Sequence, residues 1–261
     1  MIHRLAWACV IAAVLAACGG ARAPAPGASA APRLPETASA AAVDTLWAQA
    51  MHAVRHGKWG DAVTRLERVL LEFPPGDARA SRARLFLGEA QLALGNNLDA
   101  AREFRKLSDD TPNDPLAPEA LLRAADAYAE LWRRPELDPS YGQTALATYQ
   151  ELLNRYPGGP PAKRAEERIK TLQERFAYKE YKSALYYMRL KAYDSAILYL
   201  KDLVATYPRS EVAPDALLHL VQAYQRLGYK EDVAETCGYI RRFHSDVPGA
   251  AKVCPAGPGA S

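Results

Sequence analysis

Two histidines one helical turn apart are the first residues in this chain whose type and spacing could support chemistry. His52 and His56 would share one face of a helix, and two imidazoles on one face can hold a metal ion. The zinc-protease pattern requires a glutamate directly after the first histidine, but Ala53 stands there and no third ligand is near. We therefore interpret both as surface or interhelical histidines and predict neither a metal site nor a bound cofactor.

The segment 109–114 offers a second set of possible ligands, because its sequence is Asp-Asp-Thr-Pro-Asn-Asp. A calcium-binding loop would need a glycine at its turn and a glutamate at its end, and both are missing. The segment is predicted to be the loop that follows a helix. The chain also shows no glycine-rich phosphate loop and no nucleophile elbow, so we predict that the protein is not an enzyme.

The N-terminus has the pattern of an export signal. Arg4 precedes the apolar run Leu5–Val14, which is too short for a spanning helix, and Leu-Ala-Ala-Cys follows at 15–18. This tetrapeptide resembles a bacterial lipobox, which implies removal of residues 1–17 and lipid on Cys18. By the same resemblance, Gly19 rather than aspartate after the cysteine favours the inner leaflet of the outer membrane, with the protein facing the periplasm. The alternative is an ordinary secretory signal.

Two further cysteines remain once Cys9 has left with the signal. Cys237 and Cys254 are 17 residues apart, and an oxidising compartment permits a disulfide between them. The bond would attach the C-terminal tail to the last helix. A buried thiol at Cys237 with a loose one at Cys254 is the alternative, since the sequence cannot show how closely their Cα atoms approach.

Composition restricts the function classes. The 33 lysines and arginines nearly balance 30 aspartates and glutamates, for a formal net charge of +3, which gives no basic excess for nucleic acid. Residues 18–42 are mostly Ala, Pro, Gly and Ser, and are predicted to form a disordered tether behind the lipidated cysteine. A folded domain over 43–248 and a disordered tail over 249–261 complete the predicted organisation.

Internal repetition determines the predicted fold. From Val43 onward the chain has helical patterning with Gly or Pro at the breaks. Small, aromatic and terminal-proline positions recur at matching offsets, and the first two units lie 38 residues apart. A third unit carries about eight inserted residues around Arg133–Tyr141, and the fifth is degenerate. The units end at or near Pro74, Pro112, Pro157, Pro208 and Pro248.

These offsets resemble the tetratricopeptide (TPR) pattern of paired antiparallel helices. A small residue where two helices cross permits close approach, and proline stops the second helix because it lacks an amide donor. We predict an all-α TPR superhelix of about five helix pairs. An unrelated all-helical bundle is the alternative.

The stretch 137–208 narrows the resemblance to the BamD family of outer-membrane β-barrel assembly lipoproteins. Three features are similar: the insertion ending in Leu137-Asp138-Pro139, the long helix bearing Arg175–Tyr181, and the tyrosine-rich run from Tyr186 to Pro208. Lys191 departs from the pattern, because glycine is usual at that turn. We expect a wider or strained turn there.

The resemblance implies a lipid-anchored scaffold subunit of the assembly (BAM) complex. BamD-like proteins bind the periplasmic POTRA region of the barrel-forming BamA, partly through their C-terminal repeats. The resemblance further implies that the N-terminal repeats receive C-terminal segments of unfolded outer-membrane proteins. Other assembly-complex lipoproteins are further expected partners.

Candidate partner-binding residues follow from the rule that the first helix of each TPR pair lines the concave surface. Aromatic side chains there can serve as anchors, and charged ones can select partners. The alternatives are packing between helices for the aromatics and a solvated face for the acids. The predicted residues are Trp47, Arg55, Asp126, Glu130, Tyr178, Tyr181, Arg189, Gln222 and Arg226.

Two rival functions remain open at this level. One is a different envelope TPR scaffold, such as a pilotin or a cell-division coordinator, because helical repeats serve many partners. The other is a metal-dependent or hydrolytic enzyme that uses His52 and His56.

Overall fold

The computed structural model describes residues 39–254, so the predicted signal, Cys18 and most of the predicted tether lie outside the described residues. Within that range every regular element is helical, and no strand occurs. No helix there is both long enough and apolar enough to span a bilayer. The helices are α1 (Ala40–Arg55), α2 (Trp59–Glu72), α3 (Ala80–Ala93), α4 (Asn97–Asp110), α5 (Ala117–Leu131), α6 (Ser140–Arg155), α7 (Gly159–Arg189), α8 (Tyr193–Thr206), α9 (Ala213–Leu227), α10 (Lys230–Phe243) and α11 (Ala250–Val253).

Consecutive helices pack against each other and form five pairs, α1–α2 through α9–α10, as predicted for a TPR array. The first helices of the later pairs also touch one another, since α7 contacts both α5 and α9. We call the face formed by α1, α3, α5, α7 and α9 the first-helix surface. The predicted repeat domain begins slightly earlier than expected, at Ala40, where the Ser39 hydroxyl accepts a hydrogen bond from the Ala42 amide.

Small residues at the helix crossings permit the close packing within pairs. Ala50, Ala125 and Ala184 are fully buried at these positions. Gly88 is the tightest example, because a Cβ there would lie 2.5 Å from the Phe104 ring of α4. The crossing of α3 and α4 therefore has no room for a side chain at this position.

The insertion in the third repeat is anchored by a buried tryptophan. Trp132 directly follows α5 and is only 2% exposed. Its ring lies against the backbone of Gly142 in α6, where a Cβ would come within 2.2 Å of the ring, and its centroid is 4.6 Å from that of Phe176 in α7. The Arg175 guanidinium lies 4.7 Å from the ring centroid, a cation–π contact. Trp132 thus joins α5, α6 and α7, a role that the sequence did not indicate.

The long helix α7 takes part in two hydrophobic clusters. Near its middle, Leu172 and Phe176 belong to the cluster that contains Trp132 and Tyr149. About two turns after Phe176, Ala184 belongs to a separate cluster formed with α8, α9 and α10. A single continuous helix therefore connects the core of the third repeat to the core of the last two.

Four of the five turns between paired helices share one backbone conformation. Gly57, Gly95 and Gly228 have φ of 64°, 82° and 77° at these turns, and Lys191 has φ of 59° at the corresponding place after α7. The Ala192 amide donates to the Tyr187 carbonyl oxygen (3.0 Å) and the Lys191 amide to that of Met188 (3.1 Å). This is a Schellman ending, which requires a left-handed residue and favours glycine. The strain expected at Lys191 is present.

We expect Lys191→Gly to raise the free energy of unfolding by about 1 kcal/mol, because the left-handed conformation costs a residue with a Cβ about 1–2 kcal/mol and costs glycine little. Urea denaturation followed by circular dichroism measures the change. Lys201→Gly, inside the exposed face of α8, is the matched control and should lower stability by about 1 kcal/mol. Destabilisation by Lys191→Gly would contradict the assignment of strain.

The C-terminal segment differs from its prediction. The tail was expected to be disordered from 249, but Ala250–Val253 form a short helix, and we call residues 249–254 the C-terminal strap. Cys254 is joined to Cys237 of α10 by a disulfide, with a Cα–Cα distance of 5.5 Å. Ala250 and Val253 pack on the last hydrophobic cluster, which gives the strap the apolar contacts that composition alone did not suggest. Residues 255–261 lie outside the described range.

Candidate partner-binding site

The two predicted residues of the first repeat differ in their surroundings. Trp47 is half-buried, and its ring lies 5.9 Å from that of Phe73, so much of its apolar surface is used within the repeat. Arg55 is exposed near the end of α1. The structure therefore leaves the guanidinium of Arg55 accessible, whereas Trp47 packs between helices.

Asp126 is occupied by contacts within the protein. Its carboxylate accepts a hydrogen bond of 2.6 Å from the Tyr149 hydroxyl of α6 and lies 3.4 Å from Nε of Arg168 in α7. Burial raises the pKa of Tyr149 well above its usual value, and the Asp126 carboxylate adds to the rise. Glu130, one turn further along α5, is exposed. Asp126 thus connects three helices, and Glu130 alone of this pair projects a largely free carboxylate.

The two predicted tyrosines of α7 also differ in how accessible their side chains are. Tyr178 is 39% exposed, and the Lys182 ammonium lies 5.7 Å from its ring centroid. Tyr181 packs on the last hydrophobic cluster, with its hydroxyl 3.2 Å from Nδ1 of His219 in α9. Burial raises the pKa of Tyr181 to about 12. Tyr178 is therefore accessible to a partner, while Tyr181 holds α7 against α9.

Gln222 and Arg226 meet in a cleft near the end of the array. We call it the C-terminal cleft: it has a volume of about 700 Å³ and lies between the end of α7, the start of α8, α9 and the strap. Arg189 does not line it and instead places its guanidinium 6.0 Å from the Tyr186 ring centroid. The lining residues are Met188, Tyr193, Gln222, Gln225, Arg226, Lys252 and Val253.

Two polar lining groups of this cleft, Tyr193 at the start of α8 and Lys252 of the strap, were not predicted to face a partner. Lys252 belongs to the segment expected to be disordered, so no sequence signal placed it near α9. Gln225 donates its Nε2 hydrogen to the Val253 carbonyl oxygen at 2.7 Å, which holds the strap along α9.

A second cavity of about 400 Å³ lies between α8, α9 and α10. Leu217, Leu220 and Tyr224 of α9 form its apolar floor, and Lys201 and Glu235 stand at its polar edge. At about 100° per residue, these α9 positions point roughly opposite to Gln222, Gln225 and Arg226. Helix α9, the first helix of the fifth pair, therefore presents a polar face to the C-terminal cleft and an apolar face to this cavity.

The two histidines considered for metal chemistry, His52 and His56, contact each other and the backbone of α1. The rings of His52 and His56 stack with centroids 4.0 Å apart, and His56 Nδ1 lies 2.8 Å from the His52 carbonyl oxygen. The nearby His56 lowers the pKa of His52. Among residues 39–254, no group of three or more histidine, cysteine or acidic side chains is arranged to hold a metal ion.

The aspartates of the 109–114 segment stabilise the end of α4 and the loop after it. Asp109 accepts a hydrogen bond of 2.9 Å from Arg155 of α6. Asp114 accepts one of 2.8 Å from the Leu116 amide, immediately before α5. Asp109 and Asp110 are the last residues of α4, and residues 111–114 begin the connection to α5, so the predicted loop starts two residues later than expected.

Comparison with known proteins gives consistent matches across the repeats. The family described as "YfiO: Outer membrane lipoprotein" matches residues 39–238. The outer membrane protein assembly factor BamD of Vibrio cholerae is 30% identical over 203 residues, covering 73% of this chain and 83% of that protein. BamD of Xylella fastidiosa is 26% identical, covering 72% of this chain and 68% of that protein. Among solved structures, the TPR domain of P58(IPK) matches at 16% identity with a TM-score of 0.44, covering 80% of this chain and 53% of that chain.

Proposed function

The chain belongs to the YfiO family of outer membrane lipoproteins, and on that premise we propose that it is a scaffold subunit of the outer-membrane β-barrel assembly (BAM) complex. The observation that carries the proposal is the extent of the family match. It spans α1 to most of α10, so it includes all five helix pairs rather than one generic repeat. The relatives described above are assembly factors by name, which supports the same role here.

We propose a POTRA-containing, barrel-forming protein as the main partner, bound through the fourth and fifth repeats. Exposed polar groups on the first-helix surface support this assignment, since Arg189 and Arg226 are both accessible. Exposed cations and amides select a partner by charge and hydrogen bonding. Other assembly lipoproteins and unfolded outer-membrane segments are proposed as additional partners, the latter at the N-terminal repeats near Arg55.

The experiment that tests this role is a mild-detergent pull-down from the native envelope with a C-terminal tag, followed by mass spectrometry. We expect the wild type to recover a POTRA-containing barrel protein, and Arg189→Glu and Arg226→Glu each to reduce that recovery. Lys163→Glu, on the exposed first turns of α7, is the charge-matched control and should leave recovery unchanged. Recovery of pilus or cell-division proteins with no barrel protein would overturn the proposal in favour of another envelope scaffold.

We further propose that lipid on Cys18 anchors the protein to the inner leaflet of the outer membrane. Several acyl chains on one residue give durable attachment, because each buried methylene contributes about 0.8 kcal/mol.

Cys18→Ser should abolish incorporation of labelled palmitate, because the acceptor thiol is removed. Cys9→Ser, within the predicted signal, is the control and should label as the wild type does. Equal labelling of the Cys18→Ser protein would refute lipidation at this residue.

A further inference from the structure

The C-terminal cleft combines two cations without a lining carboxylate. Arg226 of α9 and Lys252 of the strap both line it, and both are exposed. Neither forms an ion pair with another described residue, and no aspartate or glutamate is among the residues that line the cleft. By contrast, Arg79, Arg105 and Arg155 each contact at least one carboxylate. The cleft therefore holds positive charge that the described structure does not neutralise.

The remaining lining groups suit an extended peptide. Gln222 contributes an amide that can both donate to and accept from a peptide backbone. Met188, Tyr193 and Val253 add apolar surface beside it, and methionine adapts to irregular partners. A volume of about 700 Å³ is within the usual range for ligand pockets.

The strap contributes half of the charge and depends on the disulfide for its position. Lys252 and Val253 lie directly before Cys254, which is bonded to Cys237 of α10. The hydrogen bond from Gln225 to Val253 additionally ties the strap to α9. The family match ends at 238, so the strap lies beyond the matched residues.

We propose that the C-terminal cleft binds an acidic peptide segment of a partner protein, and that the Cys237–Cys254 disulfide completes the site by holding Lys252 in the same cleft as Arg226. This deepens the proposed scaffold function by naming the chemistry of one contact, and it rests on that function. Charge complementarity selects the occupant, because two uncompensated cations that line one cleft favour carboxylates spaced along an extended chain.

The test uses the purified mature protein in detergent and a fluorescein-labelled decapeptide of alternating Glu and Ser, with a Gln-Ser decapeptide carrying the same label as control. Fluorescence anisotropy gives the Kd. We expect salt-sensitive binding of the acidic peptide and much weaker binding of the neutral one. Arg226→Gln and Lys252→Gln should each raise Kd about three- to fivefold, the upper part of the range for exposed ion pairs.

Two further variants keep the proposal falsifiable. Cys254→Ala should raise Kd at least as much as Lys252→Gln, while Lys230→Gln, an exposed cation of α10 outside the cleft, should leave it unchanged. Equal weakening by Lys230→Gln, equal binding of the neutral peptide, or wild-type affinity in Cys254→Ala would overturn the proposal. Because Lys252→Gln keeps the disulfide, it reports on the site even if the cysteine variant unfolds locally.

The outcome is separable from that of the pull-down. Selective peptide binding without recovery of a barrel protein would keep the cleft as an acidic-peptide site and remove the assembly role. Recovery of a barrel protein with no selective peptide binding would keep the assembly role and remove the acidic-peptide site.

Discussion

Trp132→Ala should lower the free energy of unfolding by about 3–5 kcal/mol, the usual cost of emptying a large buried aromatic site. The ring is 2% exposed and contacts α6 and α7 as well as the end of α5. Its removal opens a cavity where three helices meet. Urea denaturation followed by circular dichroism measures the loss. Trp47→Ala makes the same chemical change at a half-buried position and should cost less than half as much.

A double-mutant cycle with Gly142 identifies the contact responsible. Gly142→Ala should cost about 1–3 kcal/mol in the wild type, because its Cβ would overlap the Trp132 ring. In the Trp132→Ala background the same methyl enters empty space, and the cost should disappear or change sign. An equal cost in both backgrounds would show that the ring does not enforce glycine at this position.

Loss of the Cys237–Cys254 bond is the second large effect. Cys254→Ala should lower the free energy of unfolding by about 3 kcal/mol. The disulfide closes a loop of 17 residues and so restricts the unfolded chain, and its loss gives the unfolded state more conformational entropy. Urea denaturation measures the loss. Hydrogen exchange should place it in α10 and the strap, with α1–α6 unchanged, because repeats interact mainly with their neighbours.

Reduction supplies the control for this prediction. Dithiothreitol should destabilise the wild type by the same amount as the substitution and should have no effect on Cys254→Ala. Wild-type stability that does not respond to the reductant would contradict a stabilising bond.

The repeat architecture was predictable because it is expressed in local, recurring positions. Gly88 permits the crossing of α3 and α4, Gly95 supplies the left-handed residue of the turn between them, and Pro112 follows α4. Each of these residues has counterparts at matching offsets in other repeats. The strain at Lys191 was predictable for the same reason, since the other turns show what its position requires. The repeat period therefore predicted both the fold and the strain at Lys191, where the turn after α7 lacks the usual glycine.

Contacts between distant residues were not predictable from periodicity. The pairing of Asp126 with Tyr149 spans 23 residues, and nothing in either segment indicates it. Trp132 lies just after a helix end, where no repeat position constrains it. The strap was expected to be disordered because its composition is rich in small residues, and its order depends on Cys254 and on contacts with α9. The C-terminal cleft could be predicted only in part, as Gln222 and Arg226.

The length of α7 has a mechanical consequence. Its 31 residues span roughly 46 Å at 1.5 Å per residue. Since one stretch is fixed among α5 and α6 and another among α8, α9 and α10, the helix acts as a lever between the two cores. A tilt of about 5° at one end displaces the other by about 4 Å over that length. A partner that shifts the third repeat would therefore also move the binding surface of the last two repeats, because α7 belongs to both cores.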